Sequence, residues 1–109
     1  MRKKMIKNVS SIDEKKREIV SALCSMAEET PIVKRIVVFG SAANGMCTDS
    51  SDLDICYDID CTVYDKRARE LSVKTSKICD YNCDVVYYGI IGTNLRNEID
   101  AKGVVVYES

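Results

Sequence analysis

The chain has 109 residues, of which 46% are apolar and 30% charged, and its net charge is −1. This length suits one domain with one core, and the near-neutral charge provides no general attraction for nucleic acid. No apolar run approaches the ~20 residues of a membrane-spanning helix or follows the basic start MRKKMIKN as a signal peptide would. We therefore expect a single cytoplasmic domain over residues 1–109, without membrane contact and without direct nucleic-acid binding.

The first half of the chain predicts a helix followed by a buried strand. Ser-Ile-Asp-Glu at residues 11–14 has the pattern of a capping box, and apolar residues then recur at helical spacing. These features predict a helix from Ser11 to about Glu29, which the Thr30-Pro31 pair ends. The apolar run Ile36–Phe39 predicts a buried strand that stops at Gly40.

The second half of the chain alternates strands with helices. Residues 41–51 are small and polar, which suits a tight turn with at most a short helix. Gly103 is expected as the C′ residue that ends the last helix. This order of elements predicts an α+β (layered α/β) fold in which helices cover one small sheet. The predicted elements are a strand over Asp52–Asp58, a helix over Tyr64–Ile78, a strand over Cys83–Tyr88, a helix over Thr93–Lys102 and a strand over Val104–Tyr107.

The six cysteines are expected to be reduced thiols. The chain has no C-x-x-C pair and no histidine, which disfavours a zinc site. Without an export signal, the thiols are expected to act mainly as small buried apolar side chains. They are Cys24, Cys47, Cys56, Cys61, Cys79 and Cys83.

The most unusual feature of the sequence is a run of acids without bases. Asp49, Asp52, Asp54, Asp58 and Asp60 occur within twelve residues, and the range 36–65 has no Lys, Arg or His. Two acids at i and i+2 of a strand share one face, and two carboxylates ~6 Å apart repel by roughly 3 kcal/mol at an effective dielectric of about 20. A divalent cation bound between the two carboxylates turns this repulsion into a net attraction, and Mg²⁺ prefers carboxylate and phosphate oxygens as ligands.

Two further features lie near this acidic run in the predicted fold. Asp84 stands among apolar residues of a later strand, where an acid needs a partner or a site. If its strand neighbours that of Asp52 and Asp54, three carboxylates converge as in two-metal phosphoryl transfer. The Gly40-Ser41 turn could bind phosphate through backbone N–H groups and a hydroxyl. Each feature alone is more often an ordinary turn or an exposed strand. An EF-hand calcium-binding loop over Asp49–Asp60 is disfavoured, because this segment lacks the glycine and the terminal Glu that such a loop requires.

Gly40-Ser41, ten residues and Asp52-Leu53-Asp54 resemble the G-S-x10-D-x-D motif of the DNA polymerase β-like nucleotidyltransferase superfamily. Ser51 also fits the common form of this motif, and Asp84 matches the third acid. The C-terminal segment Ile99–Glu108 resembles that of the minimal nucleotidyltransferases. This resemblance implies a mixed sheet of three to four strands flanked by helices, and one nucleotidyltransferase domain over residues 1–109.

The resemblance also implies a reaction. Asp52, Asp54 and Asp84 would be catalytic and hold two Mg²⁺ ions, and Gly40, Ser41 and Ser51 would bind the nucleotide, expected to be ATP. Minimal members typically work with a separate, all-helical HEPN-type protein, and several such pairs resemble toxin–antitoxin modules. The implied function is transfer of AMP from ATP to a hydroxyl of a HEPN-type partner, with the nucleotidyltransferase as antitoxin.

The motif departs from many minimal members at one point, where Ala42–Gly45 replaces a segment that commonly carries Arg. This departure keeps a second hypothesis open, in which the domain neutralises its partner by contact with weak or lost catalysis. A third hypothesis is a small structural domain with surface acids. The acceptor, the choice of NTP and the oligomeric state stay open at this point.

Overall fold

The computed structural model describes residues 5–45 and 51–109. Within these ranges, five strands form one sheet in the order β1-β5-β2-β3-β4. Only β3 and β4 pair in parallel, so the sheet is mixed. The strands are β1 (Met5–Ile6), β2 (Val33–Phe39), β3 (Leu53–Ile59), β4 (Cys83–Tyr87) and β5 (Val104–Glu108).

The part of the chain that the structure describes has four α-helices, which lie on the two faces of this sheet. On one face, α1 and α3 pack against the larger apolar cluster, which includes Leu23, Leu71 and Tyr57. On the other face, α4 packs through Ile99 against a smaller cluster with Val37. The helices are α1 (Arg17–Glu28), α2 (Ser41–Asn44), α3 (Lys66–Ile78) and α4 (Thr93–Lys102).

The fold class predicted from the sequence is confirmed, with strand boundaries that differ by a few residues. The four expected strands are present, and the two-residue strand β1 is added at one edge by pairing with β5. β2 begins at Val33 rather than Ile36, and β3 begins at Leu53 rather than Asp52. The helix expected from Tyr64 begins at Lys66 because Asp65 caps it, accepting a hydrogen bond from Arg67 N at 2.9 Å.

The predicted start of the first helix at Ser11 is wrong. Two short 3₁₀ turns, Val9–Ser11 and Glu14–Lys16, precede α1. The capping side chain is Asp13, whose Oδ1 accepts a hydrogen bond from Lys15 N at 3.0 Å. Asp and Ser are both good N-cap residues, so propensity alone does not distinguish Ser11 from Asp13. In the structure, Asp13 is the residue whose side chain accepts a hydrogen bond from a backbone N–H group of the following turn.

Gly103 ends α4 as expected, although not in the left-handed conformation of a common C′ glycine. Its φ is −70°, which any residue can adopt. A Cβ at this position would lie 2.5 Å from both Ile99 O and Val37 Cγ1. Close packing of the helix end against β2 therefore requires glycine here.

The described cysteines match the expectation of free thiols. Cys24, Cys56 and Cys79 are buried, and Cys61 and Cys83 are partly exposed. Burial raises the pKa of Cys24 and Cys56 to about 11 and that of Cys79 to about 12. Cys47 and Asp49 lie outside the described residues. Across the ranges 5–45 and 51–109, no helix has the length and apolar character needed to cross a membrane.

Candidate active site

The turn after β2 is built around a close contact between Gly40 and Asp54. Gly40 has φ 71° and ψ −149°, a region that is open almost only to glycine. A Cβ on Gly40 would overlap Asp54 Oδ2 and would lie 3.2 Å from Asp54 Cγ. Glycine is therefore required twice at this position, by the backbone angle and by the carboxylate that lies against it.

The strand register brings two of the predicted acids together. Asp54 in β3 is the in-register partner of Asp84 in β4 and also pairs with Phe39 in β2. In-register partners point to the same face of a sheet, so both carboxylates lie on the face that α4 covers. The hydrogen bond from Leu53 N to Asn82 O (3.0 Å) fixes this register at the start of the two strands.

The charges around Asp54 all oppose its ionisation. Burial is the main cause that raises the pKa of Asp54, and the negative charges of Asp84, Asp52 and Glu98 raise it further. Asp54 is partly buried, whereas Asp52, Asp84 and Glu98 are exposed. Three exposed acids therefore act on Asp54, which is the least exposed of the four carboxylates.

The remaining predicted residues lie at the same end of the sheet. Ser41 is the first residue of α2 and is partly buried, and Ser51 and Asp52 directly precede β3. In the described ranges, no three acidic or cysteine side chains converge closely enough to hold a metal ion between them as they stand. The register thus joins Asp54 with Asp84, and Asp52 acts on Asp54 through its charge.

The donor set at this end of the sheet fits Mg²⁺. All the candidate side-chain ligands are carboxylates, the oxygen donors that this ion prefers. The carboxylate of Asp54 occupies space that a Cβ on Gly40 would fill, so the turn and the acid are shaped to each other. A cation beside Asp54 would relieve the repulsion that raises its pKa. Asp52, Asp54 and Asp84 are the residues that would hold it.

Two residues near this end were not identified from the sequence. Glu98 in α4 acts on Asp54, but in the sequence it does not differ from any other exposed acid of a helix. Lys16 is only 5% exposed, and a signal for its burial was present. It precedes the buried Val20 by four residues and Leu23 by seven, so it continues the apolar stripe of α1.

Comparison with protein families gives one match that spans most of the chain. The family described as "Polymerase beta, Nucleotidyltransferase" matches residues 21–109. This range contains the Gly40 turn and all three predicted acids. None of the curated proteins compared with the chain matches it.

Several solved structures share the fold. A toxin–antitoxin crystal structure with AMP-PNP matches with a TM-score of 0.66 and 23% identity over 84% of this chain and 73% of that one. A tri-AMPylated Shewanella oneidensis HEPN toxin in complex with MNT antitoxin matches with a TM-score of 0.61 and 20% identity, over 87% and 73%. A protein described as a candidate minimal nucleotidyltransferase matches with a TM-score of 0.66 and 23% identity, over 85% and 95%.

Proposed function

The chain belongs to the polymerase beta nucleotidyltransferase family, and from this membership we propose that it moves AMP from ATP to a hydroxyl group of a HEPN-type partner protein. The reaction depends on Mg²⁺, and the domain acts as the antitoxin of the pair. The observation that carries the proposal is the in-register pair of Asp54 and Asp84 beside the Gly40 turn, inside the range matched by the family.

Each predicted residue has a role in this proposal. Asp52, Asp54 and Asp84 hold two Mg²⁺ ions, and Gly40, Ser41 and Ser51 bind the nucleotide. When bound, Mg²⁺ neutralises the triphosphate and polarises the reacting oxygens. The negative charges around Asp54 support this assignment, because neighbouring carboxylates repel one another and raise the pKa of Asp54 unless a cation lies between them.

The chemical step is an in-line displacement at the α-phosphorus of ATP. The acceptor oxygen forms a bond to this phosphorus, and the bond to the bridging oxygen of pyrophosphate breaks. The hydroxyl proton passes to Asp84, which is exposed and lies on β4, the last strand at one edge of the sheet. A hydroxyl carried by another protein can therefore approach Asp84, whereas Asp54 is partly buried next to Gly40.

The structures with the same fold support the substrate and the partner. One contains AMP-PNP, and another is a complex of an AMPylated HEPN toxin with an MNT antitoxin. We extend both features to this chain, with residues 1–109 as one nucleotidyltransferase domain. A cytoplasmic location fits this reaction, because ATP is available there and the described thiols are free.

The test is transfer of label from ATP to a HEPN-type protein co-expressed with the full chain. We expect label from the α position and none from the γ position. Asp84→Asn should lower transfer by several orders of magnitude and leave most ATP binding intact, because the lost group acts in the transition state. Asp80→Asn is the matched control, since Asp80 is an exposed acid in the turn before β4 and Asn tolerates its φ of 52°.

Three outcomes would contradict the proposal in different ways. Label from the γ position would mean phosphate transfer instead of nucleotidyl transfer. Equal transfer by Asp84→Asn and wild type would remove Asp84 from the mechanism. Stoichiometric inhibition of the partner with no transfer of either label would favour the binding module, an alternative that the lack of Arg in Ala42–Gly45 supports.

A further inference from the structure

The outer side of α3 is a basic surface in a chain that is acidic elsewhere. Five of the thirteen residues of α3 are Lys or Arg, whereas one is Glu. Because the net charge of the whole chain is −1, the residues outside α3 are acidic on balance. A shallow groove of about 460 Å³ lies on this surface, which we call the basic face. It is lined by Lys66, Arg69, Glu70, Val73, Lys74 and Lys77.

The basic face lies away from the candidate active site. Its six residues recur at intervals of three and four along α3, which places them on one side of the helix, and all six are exposed. The buried side of α3 carries Ala68, Leu71 and Thr75, and Leu71 belongs to the larger apolar cluster. Asp54 and Asp84 lie on the other face of the sheet, beside α4. The acids and the basic face are therefore two separate surfaces.

Most cations of the basic face have no acidic partner. Lys66 pairs with Glu70 at 3.8 Å. Across the ranges 5–45 and 51–109, however, Arg69, Lys74 and Lys77 form no ion pair. Lys74 and Lys77 are three residues apart on the helix, where like charges repel. These cations therefore remain available to an acidic group from outside the chain.

The start of α3 carries cations where the helix dipole disfavours them. Lys66, Arg67 and Arg69 lie at this end of the helix, and the first turn has no acid. The free N–H groups of a helix start are partly positive, so nearby cations reduce helix stability. Asp65 offsets part of this effect by capping α3 and pairing with Arg67 at 3.0 Å. The stability of α3 therefore does not account for its charge, whereas contact with an acidic surface does.

The centre of the basic face is apolar. Val73 is 54% exposed, and the lining of the groove is mostly apolar. An apolar centre with a charged rim is typical of a surface that binds protein. Nucleic acid fits this surface less well, because Glu70 would repel phosphates and none of the six lining residues is an aromatic platform for bases.

We propose that the basic face of α3 binds an acidic, amphipathic helix of the HEPN-type partner. The proposal rests on the function proposed above, because it names the surface that holds the same partner. The cations repeat at helical spacing, so acids at the same spacing on a helix alongside α3 match Arg69, Lys74 and Lys77. An apolar side chain of that helix covers Val73. A helix bound there does not occupy the nucleotide site, which lies on the other face of the sheet.

The test is isothermal titration of the full chain with a HEPN-type protein, at about 0.05 M and about 0.3 M salt. The double variant Lys74→Glu, Lys77→Glu should bind about 10- to 100-fold more weakly than wild type at low salt, and its remaining affinity should depend little on salt. The matched control Lys34→Glu, Lys102→Glu has the same net charge and reverses two exposed cations outside α3. It should bind within about threefold of wild type, and both variants should melt within a few degrees of wild type.

Carbodiimide cross-linking identifies the occupant of the basic face. This reagent joins an ammonium group to a carboxylate that touches it. In the wild-type complex, Lys74 and Lys77 should be linked to Asp or Glu residues of one partner segment, three or four residues apart. A complex without links from either lysine, or with links to acids of unrelated partner segments, would overturn the proposal.

Two binding results would also overturn it. Equal affinity of the Lys74→Glu, Lys77→Glu variant and wild type for the HEPN-type protein would mean that the basic face is only solvated. A second titration uses a single-stranded RNA of about 20 nucleotides. If wild type binds this RNA, and the variant loses RNA binding while it keeps its affinity for the protein, the surface is one for nucleic acid.

The two proposals fail in distinguishable ways. If the charge reversal weakens the complex but wild type transfers no label, the proposed reaction fails and the docking surface stands. If wild type transfers label and the variant binds and transfers equally well, the docking surface fails alone. If wild type does not bind the HEPN-type protein, both proposals fail.

Discussion

The replacement of Gly40 by alanine tests the geometry at the centre of the site. An L-residue at φ 71° and ψ −149° costs about 1–3 kcal/mol of backbone strain. The new Cβ also overlaps Asp54 Oδ2, and rotating that carboxylate away from its preferred rotamer costs about 0.5–1.5 kcal/mol. Together these terms predict a loss of about 2–4 kcal/mol in the free energy of unfolding, or on the order of 10–20 °C in melting temperature.

The assay combines urea unfolding with label transfer from ATP. Gly45→Ala is the comparison variant, because Gly45 has a similar φ of 76° but nothing lies within 4 Å of its Cβ. It should lose about 1–2 kcal/mol from the left-handed backbone alone and should keep its activity. Gly40→Ala should in addition lose about 100-fold in transfer, because a displacement of about 1 Å at a reacting group has this effect.

A double variant separates strain from overlap at this position. In an Asp54→Ala background, Gly40→Ala should cost about 0.5–1.5 kcal/mol less than in wild type, since the carboxylate that it displaces is gone. The backbone strain should remain. If Gly40→Ala and Gly45→Ala lose equal stability and both keep full transfer, the contact between Gly40 and Asp54 has no functional meaning.

Two further predictions concern charge. Without ligand, Asp54→Asn should melt a few degrees above wild type, because it removes a carboxylate whose pKa is raised by burial and by three neighbouring acids. With Mg²⁺ and ATP at 100 times Kd, wild type should gain about 2.7 kcal/mol of stability and Asp54→Asn should gain little. A lower melting point for the ligand-free variant than for wild type would contradict the prediction. The buried thiols should make the protein less stable in alkali, because their pKa values in the folded state exceed the unfolded value of 9.0. The stability that they contribute is fully present below pH 9 and is lost as the pH rises toward 11 to 12. Each thiol should lower the free energy of unfolding by about 1.4 kcal/mol per pH unit in this window. Urea unfolding between pH 8 and 11 measures this slope. Cys79→Ala should make it shallower, and a flat profile would refute the prediction.

The helices and strands that could be predicted best are those defined by local pattern. Thr93–Lys102 was predicted with the bounds that the structure has, because Gly103 gives a clear helix end. The pairing of Asp54 with Asp84 could be stated only as a condition, since no local pattern says which strands are neighbours. β1 could not be predicted, because two residues become a strand only through their pairing with β5.

The first turn of the chain illustrates a different limit. Ser11 and Asp13 are both good capping residues, and the choice between them depends on backbone geometry that the sequence does not express. Lys16 could have been found, because the helical spacing that marks Val20 and Leu23 as buried also includes it. A lysine at the end of an apolar stripe is normally assigned to the exposed surface because of its charge, so the burial of Lys16 is easily missed.

The parallel pairing of β3 with β4 also has a consequence for how the protein acquires its activity. Residues 60–82, which include α3, form the crossover connection between these two strands, because parallel neighbours cannot be joined by a short turn. During synthesis, the Gly40 turn and Asp54 therefore emerge well before the strand that carries Asp84. A nascent or truncated chain that ends before β4 can have the antiparallel pair of β2 and β3, but neither the pair of acids nor the pairings of β5 with β1 and β2.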